Sequence, residues 1–384
     1  MGENRYSVLT RLRPLVWPLL ILAVTATLYG TKIRQEMVDF EVYRTAGRRA
    51  LAAEPLYRPS DEHFQFKYLP AFALAMAPFA LIDAEAAKAI WFALSAGLLT
   101  AYLRWSVRGL PERRRSERVL LWLTAALMLK FYAHELTLGQ TNILLGSLMV
   151  GALLATQVDE PRVAGILIGL AAFVKPYALL LLPWLAFSAG APAALACFIV
   201  LVAGLVLPAF VYGWTGNVEL LVAWFLTITG STAGNLLGAD NVSLAAMWAK
   251  WLGAGTAATA LATITTGGLL GLVATVWVRR QNVDNPDYLE CALLMLLVPL
   301  LSPQGWDYVL LLGTPAVVCL LDRWSEVSQR WQVAIALSLG LMGLTIFDLM
   351  GRALYAQFMA LSIVSVAAMG TALALTHLRW RALG

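Results

Sequence analysis

The chain has 384 residues, of which 60% are hydrophobic and 13% charged, with a formal net charge of +5. This composition excludes an ordinary soluble domain, and the long continuous apolar runs exclude the alternating pattern of a membrane β-barrel. The sequence therefore predicts an all-α polytopic membrane protein that forms a single transmembrane domain over 1–384.

The first apolar run, "PLVWPLLILAVTATLYG", is flanked by Arg5, Arg11 and Arg13 and lacks a small-residue cleavage site, so we expect a retained first helix. The apolar runs together predict about twelve crossings, near 14–30, 86–104, 119–132, 141–157, 162–174, 176–188, 193–212, 256–278, 289–301, 306–321, 331–349 and 353–376. With these crossings the arginine clusters, including the Arg-rich loop 104–118, and both termini are cytoplasmic, as the positive-inside rule requires.

This topology holds only if the apolar run 69–81 does not cross. The run contains Pro70 and Pro78 and is much shorter than the roughly 20 residues that a crossing needs. It is predicted to be an interfacial or re-entrant helix within the first external loop, 31–85.

The first external loop carries about twice its share of the charged residues, with both signs present. Between Asp39 and Leu51, the residues Phe40, Tyr43 and Gly47 recur at helical spacing. The pattern predicts an amphipathic helix on the outer membrane face. A solvated loop whose helix merely rests on the membrane fits the same spacing.

Other external connections carry further polar groups, namely "HELTLGQTN" at 134–142, Lys175, and the segments 234–243, 302–308 and 348–355. They all face the same compartment as the first loop, which predicts an external polar cavity bordering the membrane. The apolar stretch is interrupted at Lys175-Pro176, and such interruptions are tolerated where protein or water satisfies the freed backbone groups. We expect this junction to line the cavity.

Six motifs in order resemble glycosyltransferase family 87, the polyprenol-phosphate-mannose-dependent mannosyltransferases of the GT-C class. They are "VDFEVYRTAGRRALAAEPLY", "FQFKYLPAFALAMAPFALI", "LGQTNILL", "FVKPYALLLLPW", "DNVSLAAMW" and "LLSPQGWDYVLLL", and they extend from about Asp39 to Leu312. One position departs from the family, where histidine commonly follows the tryptophan of the last motif. Here Trp306 is followed by Asp307 and Tyr308, so the role of that histidine does not transfer directly.

The resemblance implies the GT-C fold and an inverting transfer in the cell (inner) membrane, with the active site facing the extracytoplasmic side. A sugar, mannose by default, would pass from a polyprenyl-phosphate donor to a hydroxyl of a lipid-linked or glycan acceptor. The base in this class is an acidic residue early in the first external loop, which corresponds to Asp39, with Glu41 as its nearest competitor.

The remaining site predictions combine this resemblance with the external polar positions. Donor-phosphate binding is predicted for three cations, Lys67, Lys175 and Arg352. The sugar and acceptor pocket is predicted to include Glu41, Tyr43, Tyr68, His134, Gln140, Asn142, Asn241, Ser243, Trp306 and Asp307. Helix capping is the alternative role for Asp39, Asn241 and Ser243.

We expect no cofactor, no metal and no nucleic-acid partner, and membrane lipids as neighbours. The chain has no Gly-rich phosphate turn after a strand, and its three histidines and three cysteines show no zinc spacing, although the "DFE" carboxylates could share a cation. Cys197, Cys291 and Cys319 lie in apolar runs and are predicted to be buried thiols. A transporter or flippase is the rival class, and a structural scaffold the third. The sequence leaves the sugar open, because arabinose, galacturonic acid or another hexose would use the same base.

Overall fold

The structure, a computed structural model, describes residues 23–381. These residues are helical with no β-strand, and one isolated bridge joins Asn241 to Trp306. The helices are α1 Val38–Leu51, α2 Pro70–Ala80, α3 Ala84–Arg108, α4 Glu117–Leu138, α5 Asn142–Gln157, α6 Pro161–Val174, α7 Leu182–Val206, α8 Ala209–Asn235, α9 Leu244–Leu252, α10 Thr256–Val278, α11 Asp287–Leu301, α12 Thr314–Asp322, α13 Gln329–Gly343, α14 Phe347–Met350, α15 Arg352–Ala360 and α16 Ile363–Arg381. Short 3₁₀ helices occupy Pro59–Phe64, Pro176–Leu181 and Asp307–Gly313.

The predicted first crossing, 14–30, falls partly outside the described residues. Residues 23–36 are helical, with a π-helical turn at Tyr29–Ile33, and this helix ends at Met37 immediately before α1. The flanking Arg5, Arg11 and Arg13 also lie outside the described residues.

Six segments within 23–381 are long and apolar enough to cross a membrane: Ala84–Arg108, Glu117–Leu138, Pro176–Val206, Ala209–Asn235, Thr256–Val278 and Ile363–Arg381. The protein is thus a polytopic helical membrane protein, but the structure does not confirm twelve crossings. Several predicted crossings are short helices that pack inside the protein. In particular, residues 307–322 are all buried, and so are residues 290–300 of α11. Apolar composition alone does not distinguish such a core helix from one facing lipid.

The segment α8 has no counterpart among the predicted crossings, because Gly213, Gly216, Asn217 and Glu219 dilute its hydropathy. Its 27 residues form two helices that meet at Gly213, where the backbone leaves helical geometry (φ 71°, ψ 171°). The predicted division between 176–188 and 193–212 agrees with the structure, because the backbone leaves helical geometry at Gly190 (φ 75°, ψ −172°) and two helices meet there.

The amphipathic helix predicted in the first loop forms as α1. Its apolar face does not rest on the membrane but packs on protein, with Phe40, Tyr43 and Ala50 almost fully buried. At Gly47, an added Cβ would lie 2.6 Å from the backbone oxygen of Met76 in α2, so the two helix backbones touch. The apolar run 69–81 forms the helix α2, whose 11 residues are fewer than the roughly 20 that a crossing needs.

The molecule has two distinct ends, because α3 and α4 run in opposite directions: Trp91 of α3 bonds Gly139 after α4, and Arg108 and Glu117 pair across the loop 109–116. Charged groups from distant arginine clusters meet at this loop. The Arg114 backbone N–H donates to Asp322 at 2.9 Å, its side chain pairs with Glu326 at 3.0 Å, and Arg381 donates to the Glu326 carbonyl. Asp39 and Gln140 lie at the other end. Cys197, Cys291 and Cys319 are buried free thiols, as predicted.

Candidate active site

The Asp39 carboxylate lies in the first turn of α1 and is partly buried. It does not cap the helix, because the N-cap position is Met37 and no side-chain capping hydrogen bond forms there. Asp39 Oδ2 accepts a hydrogen bond from Gln140 Nε2 at 2.8 Å. Burial raises the pKa of Asp39, and the Gln140 hydrogen bond and the charge of Lys175 partly oppose that rise. A carboxylate in this environment is a stronger proton acceptor than an exposed one.

Gln140 reaches Asp39 because Gly139 ends α4 in the left-handed conformation, with φ of 69°. A Cβ at this position would lie 2.8 Å from the Phe40 Cβ, so only glycine allows the end of α4 to approach α1 this closely. The Gly139 carbonyl is in turn fixed by the Trp91 indole, at 2.9 Å. The "LGQTN" motif therefore positions a side chain against the first turn of another helix.

Two phenols fix the orientation of the Gln140 amide. Tyr43 and Tyr68 both donate to its Oε1, at 2.9 and 3.2 Å, and their own hydroxyls are 2.7 Å apart. The amide nitrogen must then face the other way, towards Asp39 and the hydroxyl of Tyr308, which lies 3.3 Å from Nε2. The arrangement presents one oriented carboxylate within a largely buried polar network.

Lys175 lies next to this network at the end of α6. The residue before a proline disfavours helical geometry, and Lys175 is extended, with φ of −151° and ψ of 123°. Its ammonium donates to Asn142 Oδ1 at 2.7 Å, within 6 Å of the ring centroids of Tyr68 and Tyr177. Asn142 also donates to Glu135 at 2.8 Å.

Lys67 is the second cation near Asp39. It lies in the segment before α2, where burial lowers its pKa and the negative charge of Asp39 opposes that effect. Two ammonium groups thus act electrostatically on one carboxylate. Among residues 23–381, no group of three or more His, Cys, Asp and Glu side chains could hold a metal ion.

A second charged group surrounds Asp307, whose side chain is 1% exposed. It lies 3.2 Å from the ammonium of Lys130 and 3.3 Å from Nδ1 of His134. The ring of His134 lies edge-on to that of Tyr308, with centroids 5.0 Å apart. Tyr308 therefore connects this group to Gln140 and Asp39.

Asn241 and Ser243 are fully buried and bond the backbone of their own loop. Asn241 donates to the carbonyls of Asn235 and Pro303, at 3.1 and 3.0 Å, and Ser243 caps α9 by accepting from Ala246 at 3.1 Å. These bonds join the loop before α9 to the segment 302–306. The side chain of Trp306 is partly exposed beside this loop.

Glu41 and Arg352 lie away from the carboxylate. Glu41 pairs with Lys88 at 3.1 Å and lines a groove of about 440 Å³, whose other lining residues are Val38, Val42, Thr45, Arg49, Asp61, Phe64 and Phe66. Arg352 is exposed at the start of α15, against the ring of Phe347.

Sequence reasoning missed several members of the site, including Lys130, Glu135, Tyr177 and Asp240. Lys130 and Glu135 had a usable signal, because ionisable residues inside an apolar helix are rare and often functional. Tyr177 and Asp240 are single polar residues within the family motifs and had no distinguishing signal of their own.

Comparison with known proteins identifies the family of the chain. The model of glycosyltransferase family 87 matches residues 66–303. A polyprenol-phosphate-mannose-dependent alpha-(1-2)-phosphatidylinositol mannoside mannosyltransferase of Mycobacterium tuberculosis (strain ATCC 25618 / H37Rv) is 27% identical, over 78% of this chain and 73% of its own length. No solved structure matches the chain. Because the family model covers more than half of the residues, the chain belongs to glycosyltransferase family 87.

Proposed function

We propose that this enzyme transfers mannose, with inversion at the anomeric carbon, from polyprenyl phosphate to a hydroxyl of a phosphatidylinositol-mannoside-type glycolipid. The mycobacterial relative's name supplies the donor and the kind of acceptor. The observation that carries the mechanism is the meeting of one oriented carboxylate, Asp39, with two cations, Lys67 and Lys175.

In this reaction the acceptor oxygen attacks the anomeric carbon while the bond from that carbon to the phosphate oxygen breaks. The phosphate leaves with the bonding electron pair, and Asp39 takes the acceptor's proton. Proton transfer to a positioned side chain typically accelerates a reaction by about 10²- to 10⁴-fold. Lys175 and Lys67 would stabilise the charge that develops on the leaving phosphate, where preorganised cations outside bulk water act most strongly.

The donor's lipid tail needs an apolar groove that starts near this site. A groove of about 340 Å³ lies between α9, α10 and the end of α11, and reaches Pro303 in the segment that Asn241 binds. It is lined by small and apolar residues, namely Leu236, Ala245, Ala249, Ala254, Gly255, Ala258, Thr259, Ala262, Thr263, Thr266, Leu300, Leu301 and Pro303. We propose this groove for the first isoprene units of the donor.

We expect Thr263→Phe to raise the KM for the lipid donor about tenfold, because a phenyl ring would fill the groove that Thr263 lines. The matched control is Ile264→Phe, one position along α10, whose side chain is 68% exposed and does not line the groove. Donor titrations with both variants decide the point. An equal KM in the two variants would remove the groove from the donor path.

The site is proposed to face the extracytoplasmic side. Asp39 lies at the end of the molecule opposite the loop 109–116, since it bonds Gln140 after α4, and the 22 residues of α4 span about 33 Å at 1.5 Å per residue. Arginine-bearing segments meet at that loop, and such clusters are retained in the cytoplasm.

Single-cysteine labelling of intact cells tests this orientation. Ser60 and Ser116 are both exposed, on the Asp39 side and in the 109–116 loop respectively, and the three native thiols are buried. A membrane-impermeant maleimide should modify Ser60→Cys and leave Ser116→Cys unmodified. Labelling of Ser116→Cys alone would invert the proposed topology.

The reaction itself is tested with purified protein in detergent and a polyprenyl-phosphate-[¹⁴C]mannose donor. We expect release of free polyprenyl phosphate together with a labelled phosphatidylinositol-mannoside-type product. A transporter or flippase would leave the donor chemically unchanged. Turnover of another polyprenyl-phosphate sugar in preference to mannose would keep the enzyme class and replace the sugar.

A further inference from the structure

The charged group around Asp307 lies beside the Asp39 site and is separated from it by a single side chain. The hydroxyl of Tyr308 accepts from Gln140, which also bonds Asp39, and the ring of Tyr308 contacts His134. Through His134 the contacts continue to Asp307 and then to Lys130. A ligand held between the two groups would therefore touch both.

Two atoms of this group have unused hydrogen-bonding capacity. Lys130 Nζ and Asp307 Oδ1 are buried, and neither has a hydrogen-bond partner among residues 23–381. The contacts of Asp307 with Lys130 and His134 pair charges at 3.2 and 3.3 Å but lack the alignment of a hydrogen bond. Buried polar groups are normally satisfied. A hydroxyl would satisfy both atoms, because it accepts from an ammonium and donates to a carboxylate.

The charges around these atoms favour a neutral ligand over a phosphate. Asp240 adds a second carboxylate: its backbone carbonyl accepts from the Asp307 N–H at 2.9 Å, and burial, followed by the negative charge of Asp307, raises the pKa of its side chain. Lys250 also lies nearby, but its ammonium already donates to the carbonyls of Ala239 and Asn241, at 2.8 and 2.9 Å. Lys130 is already paired with Asp307 at 3.2 Å, so the negative charge of the two carboxylates would repel a phosphate dianion.

The group around Asp307 also includes an aromatic ring and has one side that a ligand can reach. The Lys130 ammonium lies 5.6 Å from the ring centroid of Tyr355, and His134 is 37% exposed at the side chain, so a ligand can reach the group from the histidine side. Ring faces and paired charged side chains together suit a polyol, which combines C–H faces with vicinal hydroxyls.

We propose that Lys130, His134, Asp240 and Asp307 form a subsite that binds adjacent hydroxyls of the transferred sugar and so determines which sugar is accepted. Lys175 and Lys67 then hold the phosphate of the same donor. This assignment rests on the proposed function, since the sugar in question is the one carried by the polyprenyl phosphate.

The test compares equilibrium affinity for polyprenyl-phosphate-mannose with that for sugar-free polyprenyl phosphate, in detergent and without acceptor. Wild-type protein should bind the sugar-bearing lipid more tightly. In Asp240→Asn, and in the double variant Lys130→Met/Asp307→Asn, affinity for the sugar-bearing lipid should fall roughly 10- to 100-fold, the range for lost hydrogen bonds to charged groups. Affinity for the sugar-free lipid should stay within about twofold.

The double variant removes both members of the buried Lys130–Asp307 pair, so neither of these two charges is left buried without the other. Asp240 is only partly buried, which keeps the test available if the double variant does not fold. An equal loss of affinity for both lipids would mean that the group binds the phosphate. No loss for either lipid would mean that it is only a structural charge pair. Either result would overturn the proposed sugar subsite. The affinity measurements require no turnover. Failure of the proposed function would therefore be seen in a different experiment, as absence of product in the turnover assay.

Discussion

Replacing Asp39 with asparagine should reduce turnover at least 10²-fold, because asparagine cannot take the acceptor's proton. The amide keeps the size of the carboxylate and can still bond Gln140, so donor affinity should change little. The measurement is kcat with saturating polyprenyl-phosphate-mannose, together with the melting temperature in detergent.

The stability of the Asp39→Asn variant should not fall. Burial raises the folded-state pKa of Asp39, so its favourable contribution is present below the unfolded pKa and is lost as the pH rises through the folded value. At neutral pH the ionised side chain therefore destabilises the fold, and the variant should be as stable as wild type or more stable.

Glu41→Gln is the matched control for Asp39→Asn. It makes the same chemical change two residues away on α1, at a carboxylate that pairs with Lys88. This variant should keep most of its activity. More than a tenth of wild-type turnover in Asp39→Asn, or a larger loss in Glu41→Gln, would transfer the role of base away from Asp39.

Replacing Lys175 with methionine should lower kcat/KM for the donor roughly 10²- to 10³-fold, as expected when a preorganised charge that stabilises the leaving group is removed. The variant should also be less stable, because Lys175 is linked to buried Glu135 through Asn142. Without Lys175, the buried Glu135 carboxylate loses a cation that acts on it electrostatically. The kinetics and the melting temperature are both measured.

The double variant Lys175→Met/Glu135→Gln separates these two effects. Neutralising Glu135 should restore much of the lost stability without restoring kcat/KM, because the phosphate still lacks its cation. Recovery of activity along with stability would mean that Lys175 acts only by supporting the fold. Unchanged kinetics in the single variant would place the phosphate clamp elsewhere.

The spacing of apolar residues was enough to predict the helix that carries Asp39, the proposed base, and the helix that packs against it. Apolar residues at helical intervals predicted the helix that forms as Val38–Leu51, and the short run with two prolines predicted the non-crossing helix Pro70–Ala80. Both depend on neighbours within a few turns of chain, which a single sequence displays directly.

The assembly of the site could not be predicted in the same way. Gln140 and Tyr308 are 168 residues apart and meet only because the end of α4 packs against the 3₁₀ helix Asp307–Gly313. Lys130 was included within a predicted crossing because its neighbours are apolar, and its contact with Asp307 depends on the same packing. Contacts of this range are set by tertiary structure.

The absence of a side chain at Gly47 and at Gly139 determines the direction of the Asp39 carboxylate. Gly139 lets the end of α4 rest against the first turn of α1, and Gly47 lets the third turn rest against the backbone of α2, about 12 Å along the axis at 1.5 Å per residue. A helix held by close contacts at Phe40 and at Gly47 can neither slide nor rotate about its axis without losing one of them. The direction of the Asp39 side chain is thus fixed by the scaffold before any substrate arrives.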